Sequence, residues 1–194
     1  MKNLLAVCVL FLVICVVFVS FSASDFRDGF VRLHILAESD SETDQSIKLA
    51  LRDDILEEYS EKLSHFSSSK EAQCEINELK SEIEEFCNSR LKEKGVDYTA
   101  SVMLENEYYP NRVYEDVSLP AGNYMSLKIV LGEGEGQNWW CVLFPPLCLD
   151  AAKGEEAYIA AGLSKDDYQL IKNDRTSQYQ LKFKIFEVLG RVFK

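Results

Sequence analysis

Cysteine and histidine are the side chains in this 194-residue sequence with the most obvious chemical potential. Cys141 and His34 together would supply a thiol nucleophile and a base, the pairing that thiol enzymes use. His34, however, shares the polar side of a predicted strand with Arg32. We therefore interpret His34 first as a solvated or structural histidine, and keep the catalytic pair as an alternative. The sequence predicts no catalytic residue beyond that alternative.

Metal and cofactor sites have no recognisable pattern here. The two histidines, His34 and His65, do not stand at metal-ligand spacing, and no C-x-x-C motif occurs. The 32 acidic residues could include a catalytic pair, but no two of them are singled out by position. We predict no metal and no cofactor.

Disulfide pairing is a second possible use of the cysteines. Two of the six lie in an N-terminal apolar run and read as small apolar residues. Four remain, which allow three full pairings: Cys74, Cys87, Cys141 and Cys148. On one continuous helix the first two would lie about 20 Å apart, beyond the Cα separation of about 7 Å that a disulfide tolerates. The Pro145-Pro146 turn favours Cys141–Cys148, with buried free thiols as the alternative.

An acidic glycine segment, GEGEG at 132–136, precedes the tryptophans. Its spacing is not that of a phosphate-binding loop, and its carboxylates would repel phosphate. We expect a flexible turn, with calcium contact through Glu133 and Glu135 as a lesser alternative.

Adjacent tryptophans open a predicted strand at 139–144. Successive side chains on a strand point to opposite faces, so one indole can fill the core while the other needs a cover. Tryptophan is also favoured at the centres of protein interfaces. Core packing is the alternative for each ring taken alone. The predicted partner-binding residues are Trp139, Trp140, Glu133, Glu135 and Gln137.

The elements that must position these residues can be predicted from periodicity. Residues 30–37, 98–105, 124–131 and 139–144 alternate or run apolar as strands do, and a short strand is plausible at 113–119. Apolar stripes at helical spacing predict long helices from about residue 43 and residue 68, each with a serine cap, Ser41 and Ser68. Ser164 marks a further helix start, with Leu163 and Tyr168 as its apolar staple.

These elements predict an α+β fold. We expect an antiparallel sheet of about four to five strands, because short connections join consecutive strands. Two long amphipathic helices would pack on one face. A hydrophobic signal or anchor segment would precede the domain.

The N-terminal apolar run covers residues 4–19 without a charge. Its length falls between a signal core of about 7–15 residues and a spanning helix of about 20. Lys2 on its N-terminal side and Asp25 on its C-terminal side favour export of the rest of the chain. We predict a signal peptide or membrane anchor at 1–24, then a single extracytoplasmic domain at 25–194.

Net charge excludes some partners. At −11 the chain repels nucleic acid and anionic lipid. We expect no nucleic-acid partner, and membrane contact only through residues 1–24 if they are not cleaved.

Three segments carry a family resemblance: VRLHILAESD at 31–40, NEYYPNRVYEDVSLPAGNY at 106–124 and GEGEGQNWWCVLFPPLC at 132–148. Together they resemble stage II sporulation protein R of endospore-forming bacteria. The resemblance implies a signalling protein without catalytic residues, exported into the space between forespore and mother cell. It implies a partner there, a membrane-embedded aspartic protease in the mother-cell septal membrane that processes a sigma-factor precursor. An extracytoplasmic thiol enzyme using Cys141 and His34 is the alternative.

Overall fold

The structure is a computed structural model that describes residues 10–11, 26–114, 117–147, 158–159 and 163–172. Apart from residues 10–11, the predicted signal or anchor therefore lies outside the described residues. Within the described ranges, no helix is both long enough and apolar enough to cross a membrane.

Strands and helices alternate in blocks along the described chain. In order they are β1 (Val31–Leu36), α1 (Glu42–Ser64), α2 (Ser69–Glu93), β2 (Ala100–Tyr109), β3 (Arg112–Tyr114), β4 (Val117–Leu119), β5 (Gly122–Leu131), β6 (Asn138–Phe144) and α3 (Lys165–Ile171). The α+β class is as predicted.

Serine caps start both long helices where the sequence predicted them. The Ser41 hydroxyl accepts from Asp44 N–H at 3.1 Å, and the Ser68 hydroxyl accepts from Glu71 N–H at 3.2 Å. Each cap satisfies one of the backbone N–H groups that a helix start leaves unpaired. The predicted Ser164 cap position directly precedes α3.

The main sheet has the strand order β2-β5-β1-β6 and is mixed. β1 runs parallel to β5, with Leu33 opposite Leu127, while β6 and β2 are antiparallel to their neighbours. The prediction of a wholly antiparallel sheet is wrong. The chain leaves β1 through two long helices rather than a turn, so β1 does not pair with β2 but lies between β5 and β6.

The two long helices cover one face of this sheet, as predicted. Their apolar stripes pack against the side chains that β1 and β5 direct to that face. The fully buried members of this core include Leu33, Ile129, Leu51, Ile55, Ile76 and Ile83.

The opposite side of the sheet, here called the far face, holds a second cluster rich in aromatic residues. α3 and the two-stranded β3–β4 ribbon pack over it, and a bridge pairs Val117 with Lys172. β1 is therefore buried on both faces, with Arg32 0% and His34 5% exposed. The sequence placed Arg32 and His34 on a polar side of this strand, with His34 as a solvated or structural residue. That side is covered, because α3 and the β3–β4 ribbon come from distant parts of the chain.

Candidate functional site

The 132–137 loop joins β5 to β6 and must cross the end of β1, which lies between them. Gly136 N–H donates to the Ala37 carbonyl at 2.9 Å, and Glu135 N–H donates to the Glu38 carbonyl at 3.2 Å. The loop backbone is thus tied to the chain that leaves β1, and it is more firmly held than the expected flexible turn.

Glycine is required in this loop for two reasons. Gly132 and Gly134 adopt φ angles of +57° and +67°, which side chains disfavour. A Cβ at Gly136 would lie 2.3 Å from the Ser39 carbonyl oxygen, which is backbone and cannot rotate away. The G-x-G-x-G spacing therefore serves a close crossing over β1.

Three polar side chains of the loop point to solvent: Glu133, Glu135 and Gln137. The Gln137 carbonyl accepts from the Lys48 ammonium at 2.8 Å, which anchors the end of the loop to α1. The loop therefore presents two exposed carboxylates on a fixed backbone.

The two tryptophans do face opposite sides of the sheet. Trp139 packs against the helix-covered core, and the Arg52 guanidinium lies 5.1 Å from its ring centre. Trp140 packs against the far-face cluster instead. Both indoles are half-buried, so neither is a fully outward-facing side chain.

Trp140 is enclosed by three ring and cation contacts. It stacks on His34 with centroids 4.3 Å apart and planes 20° from parallel, and it meets Tyr109 edge-on at 4.4 Å. The Arg112 guanidinium lies 5.2 Å from the indole centre. The cover that the sequence predicted for one indole is thus supplied by this chain's own β1, β2 and β3.

His34 is a structural residue in these contacts. Its Nδ1 donates to the Glu107 carboxylate at 2.9 Å, and its Nε2 lies 2.6 Å from Asn138 Oδ1. Burial would raise the pKa of Glu107, but hydrogen bonds from His34 and Ser126 and the nearby charge of Lys128 outweigh it and lower that pKa. The imidazole therefore joins β1, β2 and β6 beneath the Trp140 ring.

Arg32, two residues earlier on β1, is fully buried in the same cluster. Its Nε donates to the Cys141 carbonyl at 3.1 Å, and its Nη2 donates to the Tyr114 hydroxyl. The guanidinium carbon also lies 4.1 Å and 4.9 Å from the ring centres of Tyr109 and Tyr124. Among the described residues no carboxylate is within ion-pair distance of it, and aromatic faces supply the stabilising contact instead.

The proposed thiol–imidazole pair is not brought together. Cys141 belongs to the helix-covered core, whereas His34 points to the far face, so the sheet itself separates them. Cys148 lies outside the described residues, and the Cys141–Cys148 disulfide stays a prediction.

The cysteines of α2 do not pair with each other. Cys74 is an exposed free thiol and Cys87 a buried one, as expected for two cysteines far apart on one helix. Burial raises the pKa of the Cys87 thiol to about 12, so it is a poor nucleophile at neutral pH.

Metal-binding geometry is not found in the described ranges, where no three His, Cys, Asp or Glu side chains gather as ligands. The residues that sequence reasoning missed are instead Arg32, Glu107, Tyr109 and Arg112. The alternation of β1 placed Arg32 and His34 on one face, but nothing local showed that distant aromatic residues cover it.

One known protein family matches the part of the chain that builds this arrangement. The family model described as stage II sporulation protein R matches residues 27–153, well over half of the chain. The chain belongs to the stage II sporulation protein R family. This confirms the resemblance carried by the three segments.

A curated relative gives the same picture. The chain is 39% identical over 129 residues to the stage II sporulation protein R of Bacillus subtilis (strain 168). The match covers 66% of this chain and 58% of that relative, so the chain spans less than two thirds of the relative's length. No solved structure matches the chain.

Proposed function

We propose that this chain is an exported sporulation signal that activates a membrane-embedded aspartic protease in the mother-cell septal membrane. Activation leads to processing of the mother-cell sigma-factor precursor. Membership of the stage II sporulation protein R family supports the role in sporulation. The export step, the compartment between the two membranes and the protease partner are parts of the proposal.

The observation that carries the proposal is the anchored 132–137 loop. Flexible side chains and loops lose entropy when a partner orders them, and this cost weakens binding. Glu133 and Glu135 stand on a backbone already fixed to the chain after β1, so that cost is small. The loop is followed within three residues by Trp139 and Trp140, whose half-buried rings leave apolar area near this end of β6.

A non-catalytic mode of action fits these contacts better than the thiol-enzyme alternative. Cys141 and His34 lie on opposite faces of the sheet, and His34 already engages Glu107 and Asn138. Among the described residues no contact specifically favours the enzyme, so we propose the signalling function alone.

The test is co-expression of the full chain with the candidate protease and a reporter for sigma-precursor processing. We expect the wild-type chain to switch the reporter on. The double change Glu133→Gln and Glu135→Gln should raise the amount of exported protein needed for half-maximal response about three- to tenfold, because rim charges mainly affect association.

The matched control is Glu75→Gln with Glu78→Gln, two exposed carboxylates on α2. It removes the same charge and should leave the response unchanged. An equal loss in both double variants would assign the effect to net charge rather than to the loop. A wild-type chain that never activates the reporter would refute the proposed function.

The tryptophans need a stability check in the same assay. Trp140→Ala removes packing around His34 and Tyr109 as well as a contact surface, so its melting temperature must be measured beside its activity. Full activation by both Trp139→Ala and Trp140→Ala would argue against this strand as the binding surface.

A further inference from the structure

β3 carries a surface that the 132–137 loop does not account for. Alternation along this short strand turns Arg112 and Tyr114 toward the sheet and Val113 away from it. Val113 is 61% exposed, so most of its apolar surface is open to solvent. Tyr114 ties β3 to β1 of the main sheet, since its hydroxyl accepts a hydrogen bond from Arg32.

Arg112 is exposed but ordered. Its guanidinium lies 5.2 Å from the Trp140 ring centre, which holds the side chain by a cation–π contact. Among the described residues no carboxylate is within ion-pair distance of Arg112, whereas Arg52 and Arg90 pair with Asp53 and Glu93 at 2.6 Å and 3.0 Å. Within the described part of this acidic chain of net charge −11, the Arg112 guanidinium thus rests on an aromatic ring and has no carboxylate partner.

This arrangement has the composition of an interface hot spot. Arginine and tryptophan are enriched among residues that dominate binding, and a guanidinium prefers a carboxylate held by two parallel hydrogen bonds. Because Trp140 already orders Arg112, little side-chain freedom is lost on binding.

We propose that Arg112 and Val113, here called the β3 surface, bind an acidic segment of the protein partner that also carries an apolar side chain. The carboxylate would pair with Arg112 and the apolar group would pack on Val113. This inference rests on the proposed function, since the partner is the extracytoplasmic part of the protease. Trp140 connects the β3 surface to the loop, because it supports Arg112 and lies just after the loop in sequence.

The test uses the full chain in the same reporter assay at graded expression. Arg112→Glu should raise the exported amount needed for half-maximal response at least about tenfold, the loss of one strong contact. Arg112→Lys keeps the charge but not the planar pairing, and should lose about threefold. Val113→Ser should lose about threefold, and the control Lys70→Glu, an exposed reversal on α2, should lose nothing.

Thermal melting separates a structural effect from a binding effect. If Arg112→Glu has a lower melting temperature than wild type, Arg112→Gln is used instead, because it removes the charge but keeps a planar amide group. The half-maximal response of Arg112→Gln then shows whether binding is affected. A screen of Asp→Lys and Glu→Lys changes in the extracytoplasmic loops of the protease should restore Arg112→Glu and not Val113→Ser. A purely structural role for Arg112 would give no such charge-specific rescue.

Each outcome of the assay decides one part of the proposal. If wild type activates and the Arg112 variants match Lys70→Glu, the β3 surface is wrong and the proposed function stands. If the Arg112 variants fail but no charge exchange rescues them, the acidic partner segment is wrong. If wild type does not activate, both the inference and the proposed function are overturned.

Discussion

The two faces of the central strand β1 are buried by different kinds of contact. Leu33 and its neighbours on the helix-covered face meet aliphatic side chains from α1 and α2. Arg32 and His34 on the far face meet tyrosines, a tryptophan and a carboxylate. Both sets are nearly inaccessible to solvent. The first is stabilised by burial of apolar area, and the second by hydrogen bonds and ring contacts that depend on orientation.

This difference has consequences for energetics. Burial of aliphatic area stabilises roughly in proportion to the area removed from water. Burial of a guanidinium or imidazole is unfavourable unless hydrogen bonds or charge contacts compensate. On the far face that compensation is incomplete, because Arg32 Nη1 and Trp140 Nε1 are buried and find no hydrogen-bond partner among the described residues. The far face should therefore contribute less to the free energy of unfolding than its nearly complete burial suggests.

Substitutions at neighbouring positions of β1 give the largest expected effect. Leu33→Ala should lower the free energy of unfolding by about 3 kcal/mol, because it removes a fully buried side chain and leaves a cavity. Arg32→Met should cost only about 1–2 kcal/mol. It gives up hydrogen bonds and aromatic contacts, but also removes a buried charge and an unpaired N–H.

Urea unfolding of the purified variants, followed by circular dichroism, measures both values. Leu127→Ala, on the strand beside Leu33 and facing the same helices, is the matched control and should resemble Leu33→Ala. If Arg32→Met costs as much as Leu33→Ala, the far face depends on the guanidinium as strongly as the helix face depends on its aliphatic core.

The helix-covered face was largely predictable from sequence. Its stripes recur at helical spacing over long windows, and Ser41 and Ser68 mark the helix starts by local chemistry. The opposite orientations of Trp139 and Trp140 were also predictable from strand periodicity alone. Each of these features depends on residues close together in the chain.

The far face and the sheet order were not predictable in the same way. The burial of Arg32 and His34 could not be predicted, because the residues that cover them, such as Tyr109 and Tyr114, lie more than seventy positions away. The parallel pairing of β1 with β5 is likewise non-local. In the candidate site, local pattern identified the loop and the tryptophans but not Arg112, whose significance arises only where β3 crosses Trp140.

Glycine substitutions compare the loop at the sheet edge with the helix side. Gly136→Ala should lower the free energy of unfolding by about 2 kcal/mol, since its Cβ would overlap the Ser39 carbonyl and force the backbone apart. Gly95 follows the end of α2, and a Cβ added there would meet no neighbouring atom within 4 Å. Gly95→Ala should therefore lower the free energy of unfolding by only about 1 kcal/mol, because alanine disfavours its φ of +73°.

Urea unfolding measures the glycine variants, and the reporter assay gives a second measurement. Gly136→Ala should also weaken activation, because the displaced loop carries Glu133 and Glu135, whereas Gly95→Ala should not. Equal stability losses would show that the crossing over β1 is looser than its hydrogen bonds indicate.

Acid pH offers the smallest expected effect and separates the two faces by chemistry. The pKa of Glu107 is lowered below its ordinary value of 4.5, so its carboxylate is more acidic in the folded chain than in the unfolded one. The unfolded state therefore binds more protons near and below pH 4.5. Stability from Glu107 is complete above that pH and is lost as pH falls through the folded pKa.

The comparison is the free energy of unfolding of wild type and Glu107→Gln from pH 7 down to pH 3. Wild type should be the more stable at pH 7, by about 1.5 kcal/mol, the low end of the range for a hydrogen bond to a charged group. The difference should shrink toward pH 3. Glu78→Gln, an exposed change on α2, should show no such trend. On the helix-covered face the Cys87 thiol, whose pKa is raised to about 12, stays protonated throughout this range. If Glu107→Gln loses stability toward pH 3 as steeply as wild type does, the acid sensitivity comes from other carboxylates. The far face would then not be the acid-sensitive side of the sheet.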